Sequence, residues 1–286
     1  SIEGFKPVVA IYSTFMQRAY DQVAHDVCLM DLPVTFAMDR AGIVGEDGAT
    51  HQGLYDISFL RTLPNMVIMA PKDENELRHM LKTSINHPGP SSLRYPRGAG
   101  LGVELDKEIK ELEIGKGEVV KDGADLAIFA FGTMVDPSMK TAGMLEEKGL
   151  SVAVINARFA KPIDEDLVLE YARKTGCIVT TEEHAVQGGF GSAVLEALQD
   201  IDENILVKTK CIGVPDIVVE HGAVGLIKKD MKLDSEGMFE TILSFVSSES
   251  SSTTEGNRDK DFSGNGNKEL KSGIKKPITF KQPVNG

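Results

Sequence analysis

Over residues 1–95, short apolar runs alternate with longer stretches whose apolar positions recur every three or four residues. The short runs predict strands at 7–12, 33–39, 66–70 and 91–95, and the spaced ones predict helices at 15–29, 56–61 and 73–85. Asp73, with Glu76 three residues on, is a helix start signal. Strand runs that are apolar throughout belong to sheets covered on both faces, which are parallel ones. The alternation resumes after residue 123, with strands expected at 126–131, 151–156, 177–181 and 206–212. Helices are expected near 135–148, 164–174, 191–199 and 235–246. The fold class is therefore α/β, as two consecutive parallel-sheet units.

Residues 98–123, with the charged run 104–113 and the Gly115-Lys116-Gly117 turn, read as the connection between them. From Ser247 the pattern stops. A Ser/Thr run followed by Gly, Asn and Lys cannot bury enough apolar surface to order itself, so 247–286 is expected to be disordered. Ile278-Thr279-Phe280 is the one short partner-binding candidate within it.

Composition narrows the partners. The 286 residues are 41% hydrophobic and carry a net charge of −12, which argues against a nucleic-acid partner. The last 40 residues hold seven Lys or Arg against five Asp or Glu, so the excess acid lies before them. An anion site here has to be a local basic pocket. Cys28, Cys177 and Cys211 lie far apart with no CxxC spacing, which suggests reduced, mostly buried thiols and neither a disulfide framework nor a zinc site. No apolar run approaches the ~20 residues of a bilayer span, and no membrane partner is expected. The opening, Ser1 to Lys6, has no methionine and runs straight into a strand, as if cut from something longer.

The chemistry concentrates in residues 39–53, fed by the apolar run Val34–Met38. Gly42, Gly45, Gly48 and Gly53 punctuate this loop, and Asp39, Arg40, Asp47 and His51 sit among them. It leaves the carboxyl end of a strand, where open α/β sheets bind their ligands. A solvated surface loop is the plainer alternative. At the end of the first strand, Tyr12 and Phe15 offer an aromatic wall, or else ordinary core aromatics. Phe15, Arg18, Gln22 and His25 share one broad face at helical spacing. Arg97 leaves the sheet after Arg94-Tyr95-Pro96. Arg40 and Arg97, at neighbouring strand ends, suit one phosphate, because guanidinium forks match its geometry. Each taken singly is as well explained by a surface salt bridge.

Gly-Glu-Asp-Gly-Ala-Thr-His-Gln-Gly at 45–53, Leu60-Arg61, Pro64-Asn65-Met66 and Pro71-Lys72-Asp73-Glu74 resemble the pyrimidine-binding domain of transketolase-like thiamine diphosphate enzymes. Tyr12–Gln22, Asp39-Arg40-Ala41-Gly42 and Arg94-Tyr95-Pro96-Arg97-Gly98 look like the 1-deoxy-D-xylulose-5-phosphate synthase family within them. Gly132-Thr133, Arg158–Pro162 and Thr181–Gly189 resemble that family's carboxy-terminal domain. The likeness covers residues 1–246 and gives a partial pyrimidine-binding domain at 1–97, a linker at 98–123 and a carboxy-terminal domain at 124–246.

The resemblance implies a transferase that condenses pyruvate with D-glyceraldehyde 3-phosphate and releases carbon dioxide, on the way to isoprenoid precursors, thiamine and pyridoxal. It implies thiamine diphosphate as cofactor, Mg2+ held by an amino-terminal domain absent from this sequence, and a homodimer of the longer enzyme. By position, Phe15 is expected to stack on the aminopyrimidine with Tyr12 and Arg18 nearby. Arg40 and Arg97, with Tyr12 and Asp47, are expected to hold substrate. Asp47 and His51 are the expected catalytic pair. No metal ligand is expected, since Asp47-Gly48 follows Glu46 and lacks the asparagine of the diphosphate–magnesium motif.

The family's activating glutamate falls upstream of Ser1, so the chain alone is expected neither to bind the cofactor tightly nor to turn over. The beta subunit of a 2-oxo acid dehydrogenase and a non-catalytic interaction module are the competing readings. Gly188-Gly189-Phe190-Gly191, His184 and His221 are expected to serve structure or an interface. The compartment implied is the cytoplasm for a bacterium and the plastid stroma for a plant or alga.

Overall fold

The computed structural model describes residues 1–200 and 205–247. The expected disorder of the segment after Ser247 and the Ile278–Phe280 candidate lie outside the described residues. Ten strands form two five-stranded sheets. The first is ordered β1 (Val8–Tyr12), β2 (Thr35–Asp39), β4 (Ser91–Arg94), β3 (Val67–Met69) and β8 (Phe159–Lys161). The second is ordered β10 (Lys208–Val214), β9 (Cys177–Ala185), β6 (Leu126–Ala130), β7 (Val152–Asn156) and β5 (Glu118–Lys121).

Both sheets are parallel apart from one antiparallel edge strand each, β8 on β3 and β5 on β7. Neither edge strand follows from the apolar pattern. β5 is half-exposed and lies inside the segment expected to be a plain connection, while β8 is three residues long. β8 leaves the second unit to complete the first sheet, and one core follows it across. Met38, Ile57, Leu60 and Ile68 pack in the same cluster as Phe129, Phe131, Ile155 and Phe190. Phe131 and Phe190 stack with centroids 5.0 Å apart. Full burial of such side chains contributes about 1.5–3 kcal/mol each, so the second unit is part of the scaffold that holds the first.

Local signals act mostly as read. Asp73 caps the helix Glu74–Asn86 by accepting the Glu76 amide at 2.8 Å. The Glu76 side chain instead accepts from the Lys72 amide at 2.7 Å and from Arg158 Nε at 2.7 Å. The single helix expected at 15–29 is broken into Ser13–Met16, a 3-10 turn Gln17–Ala19, Tyr20–Gln22 and a π-helical stretch Val23–Cys28. Phe15, Arg18, Gln22 and His25 still lie on its exposed side. The last strand sits two residues later than expected, and a helix at Val224–Asp230 was not foreseen. Cys28 and Cys177 are buried, Cys211 is half-buried, and no disulfide joins them.

Candidate active site

Tyr12, Asp39 and Arg94 are brought level by strand register. Tyr12 pairs with Asp39 at the end of β1–β2, and Met38 pairs with Arg94 at the end of β2–β4. The chain leaves β2 through Arg40, whose φ of 55° is in the left-handed region. A non-glycine residue there stores roughly 1–3 kcal/mol of strain that its surroundings must hold. Asp39 does so, accepting the Arg40 amide at 2.6 Å and Arg40 Nη1 at 2.7 Å. The loop that follows is closed at its neck, where Gly42 and Gly53 exchange both backbone hydrogen bonds at 2.7 and 2.8 Å.

Inside that neck the predicted residues converge. Arg40 Nε donates to Asp47 Oδ2 at 3.1 Å, and Arg97 Nη1 lies 3.7 Å from Asp47 Oδ1. One carboxylate thus spaces two guanidinium groups. Arg97 makes only long contacts, the other being 3.5 Å to the Val44 carbonyl, and is 41% exposed. Its fork remains free for a bidentate anion. The Arg40 guanidinium lies 4.0 Å over the Tyr12 ring, and Tyr12 stacks on Phe15 with centroids 5.1 Å apart. His51 meets Phe15 edge-on at 5.4 Å. His51 Nδ1 pairs with Thr50 Oγ1 at 3.0 Å, and Nε2 has no hydrogen-bond partner among the described residues. Arg18 stands apart on the exposed 3-10 turn, with no ion-pair partner among the described residues.

Phe15 is 48% exposed although it is stacked. That is an open aromatic face beside two arginines, and it suits a planar heterocycle. Among the described residues no group of three His, Cys, Asp or Glu is placed to hold a metal ion. No helix among them is long and apolar enough to cross a membrane.

Several residues that shape this site escaped the sequence reading. Arg94 is buried against Asp56, with Nε to Oδ2 at 2.7 Å and Nη2 to Oδ1 at 3.2 Å. Glu183 accepts the Ile43 amide at 2.8 Å, and Gln52 accepts the Val44 amide at 2.9 Å. The available signal was three ionisable residues, Glu182-Glu183-His184, in a strand that opens with Cys177-Ile178-Val179 and is buried almost throughout. Burial pushes the Glu182 carboxyl up to about 8, although it accepts the amides of Phe190 and Gly191. Burial pulls His184 down to about 4. Neutral His184 accepts the Ile57 amide at Nε2 and donates from Nδ1 to the Ala185 carbonyl. It is structural, as expected.

Residues 1–101 match the transketolase pyrimidine-binding domain and residues 115–238 the transketolase C-terminal domain. A solved chain described as a split gene transketolase, inactive beta4 tetramer, superposes with a TM-score of 0.76 at 32% identity, over 86% of this chain and 78% of that one. The chain belongs to the transketolase family.

Within the family, 1-deoxy-D-xylulose-5-phosphate synthase 1 of Geobacter sulfurreducens is 58% identical over 236 residues, 82% of this chain. The synthase of Thermosynechococcus vestitus is 59% identical over 243 residues, 84% of this chain. The matched segments are 37% and 38% of those relatives' lengths, so the chain spans well under half of them. The transketolase of Campylobacter jejuni, at 21% identity and a TM-score of 0.64, shares the fold. Transketolase-like synthases of this kind depend on thiamine diphosphate.

Proposed function

We propose that this chain supplies the pyrimidine-binding and substrate-binding wall of a 1-deoxy-D-xylulose-5-phosphate synthase, which condenses pyruvate with D-glyceraldehyde 3-phosphate and releases carbon dioxide. The observation that carries the reading is the Arg40–Asp47–Arg97 bridge beside the stacked Tyr12–Phe15 pair. Thiamine diphosphate supplies the electron sink when bound. Phe15 and Tyr12 receive its pyrimidine end, with Arg18 at the rim. On family grounds Mg2+ and the diphosphate are assigned to the amino-terminal domain of the longer enzyme. Residues 1–97 and 124–246 are taken as the two functional units.

Arg97 and Arg40 bind the phosphate of the aldehyde substrate, or the carboxylate of pyruvate, while Asp47 holds the two cations apart and aligned. His51 is fixed through Nδ1, so its Nε2 is the atom that donates or accepts a proton at the substrate oxygen. Asp47 shares that face and completes the catalytic pair. The solved split-gene chain is described as inactive, which supports the expectation that this chain does not turn over by itself. A homodimer of the longer enzyme is proposed on family grounds.

The test is a fusion in which this chain replaces the corresponding segment of the G. sulfurreducens synthase. The fusion is expected to form 1-deoxy-D-xylulose 5-phosphate. R97M is expected to raise KM for glyceraldehyde 3-phosphate by about 10- to 100-fold, the worth of one charge-assisted bidentate contact. A folded, inactive fusion, or an R97M enzyme with unchanged KM, overturns the reading.

A further inference from the structure

The loop that carries Arg40 and Asp47 belongs to the first unit, yet its backbone is also held from the second, at Ile43 and Gly45. Glu183, on β9, is 3% exposed and accepts the Ile43 amide through Oε1 at 2.8 Å. Its other oxygen faces Thr133 Oγ1 at 3.2 Å and Lys228 Nζ at 2.5 Å. The fit around that carboxylate is close. A Cβ on Gly42 would lie 2.6 Å from Glu183 Oε1, at a φ of +89°.

Of the next two loop residues, Val44 is tied to the second unit through Gln52, and Gly45 directly. Gln52 accepts the Val44 amide while its own amide donates to the Glu220 carbonyl at 3.2 Å. The Gly222 amide donates to the Gly45 carbonyl at 3.3 Å. Between Arg40 and Asp47, Ile43 and Gly45 are thus held directly by groups from the far unit, and Val44 indirectly through Gln52.

We infer that Glu183, with Lys228 as its counter-ion, is a positioning residue that sets the Arg40–Asp47 geometry and so tunes binding of the phosphorylated substrate. The assignment to substrate binding rests on the synthase reading; the clamp itself does not. Glu183 touches no substrate and acts only through the Ile43 amide. Lys228 neutralises the carboxylate, which would otherwise be a buried charge facing only a hydroxyl and an amide. A glutamine at 183 keeps the shape and can still accept from Ile43. Its Nε2, however, would then confront the Lys228 ammonium and the Thr133 hydroxyl.

Two readouts test this. On the 286-residue chain, hydrogen exchange of the amides of residues 43–48 is followed in wild type, E183Q and K228M. Protection in this loop is expected to fall by roughly tenfold or more in E183Q, and by less in K228M, while β6 and β7 exchange as before. Unchanged loop exchange in a folded E183Q chain, or an equal loss of protection throughout both sheets, overturns the clamp. Lys228 is partly exposed and its replacement spares the core, so K228M decides the matter if E183Q does not fold. In the fusion enzyme, E183Q is expected to raise KM for glyceraldehyde 3-phosphate by about 5- to 20-fold with kcat and the pyruvate KM nearly unchanged. An equal fall in kcat for every substrate contradicts the positioning role. Failure of the fusion to act as a synthase leaves the exchange result to stand by itself.

Discussion

Replacing Arg94 with methionine tests the buried ion pair beneath the site. Arg94 and Asp56 are 5% and 1% exposed and meet through two hydrogen bonds of 2.7 and 3.2 Å. Arg94 Nη2 also reaches the Gly53 carbonyl at 3.3 Å and the Glu183 carbonyl at 3.4 Å, which joins the loop neck to β9. Methionine keeps most of the side-chain stem but strands the Asp56 carboxylate in the core. Removing one member of a buried pair costs about 3–5 kcal/mol, because the remaining charge is uncompensated. With a urea dependence of about 2 kcal/mol per M, the unfolding midpoint of the chain should fall by about 2 M. The double variant D56N/R94M removes both charges and should recover at least half of that loss. Circular dichroism in a urea titration reads both. An R94M midpoint shifted by less than about 0.5 M, or a double variant as unstable as the sum of the singles, would refute the reasoning.

Three further outcomes follow from the same structure. Glu182, raised to about 8, favours the folded state when protonated, so its contribution is full below about pH 4.5 and is lost as the pH rises through 8. His184, lowered to about 4, acts in the opposite sense, and its contribution is lost as the pH falls from 6.5 through 4. Between pH 6.5 and 8 the first effect stands alone, and stability should drop by up to about 1.4 kcal/mol per pH unit; urea titrations of E182Q should show that slope flattened. Gly45→Ala places a Cβ 2.7 Å from Val224 Cγ2 and 2.8 Å from the Gly222 carbonyl at a φ of +72°. It should destabilise the chain by about 1–3 kcal/mol in thermal unfolding, and an unchanged midpoint would show that the helix Val224–Asp230 yields. In the fusion enzyme, H51N should lower kcat by about 10²- to 10⁴-fold with little change in KM, as expected of a group that moves a proton.

Most of the fold was legible because short runs, apolar in β1, β3, β6 and most of β7, are set between amphipathic helices. The two edge strands were not. β5 is half-exposed and β8 has three residues, so neither carries a periodic signal, and pairing with β3 is a decision of the tertiary fold. The clustering of Tyr12, Arg40, Arg97, Asp47 and His51 was legible because the first three leave strands at their carboxyl ends and the other two lie in the loop between. Arg18 was placed near them by helical spacing, but the broken helix leaves it exposed and outside the contacting set. Glu183 stayed hidden because its partner Ile43 lies 140 residues away. Nothing local to either residue marks such a contact.

A chain that forms one wall of a thiamine-dependent synthase, as proposed, needs the other wall to act. Carbon dioxide release from carboxyl-labelled pyruvate, with glyceraldehyde 3-phosphate, thiamine diphosphate and Mg2+ present, tests it most directly. The chain is assayed alone and after mixing with the separately produced amino-terminal portion of the G. sulfurreducens synthase. No release above background is expected from either part, and sustained release, with formation of 1-deoxy-D-xylulose 5-phosphate, is expected from the mixture. Release by the chain alone, or an inactive mixture in which the two parts demonstrably associate, would contradict it.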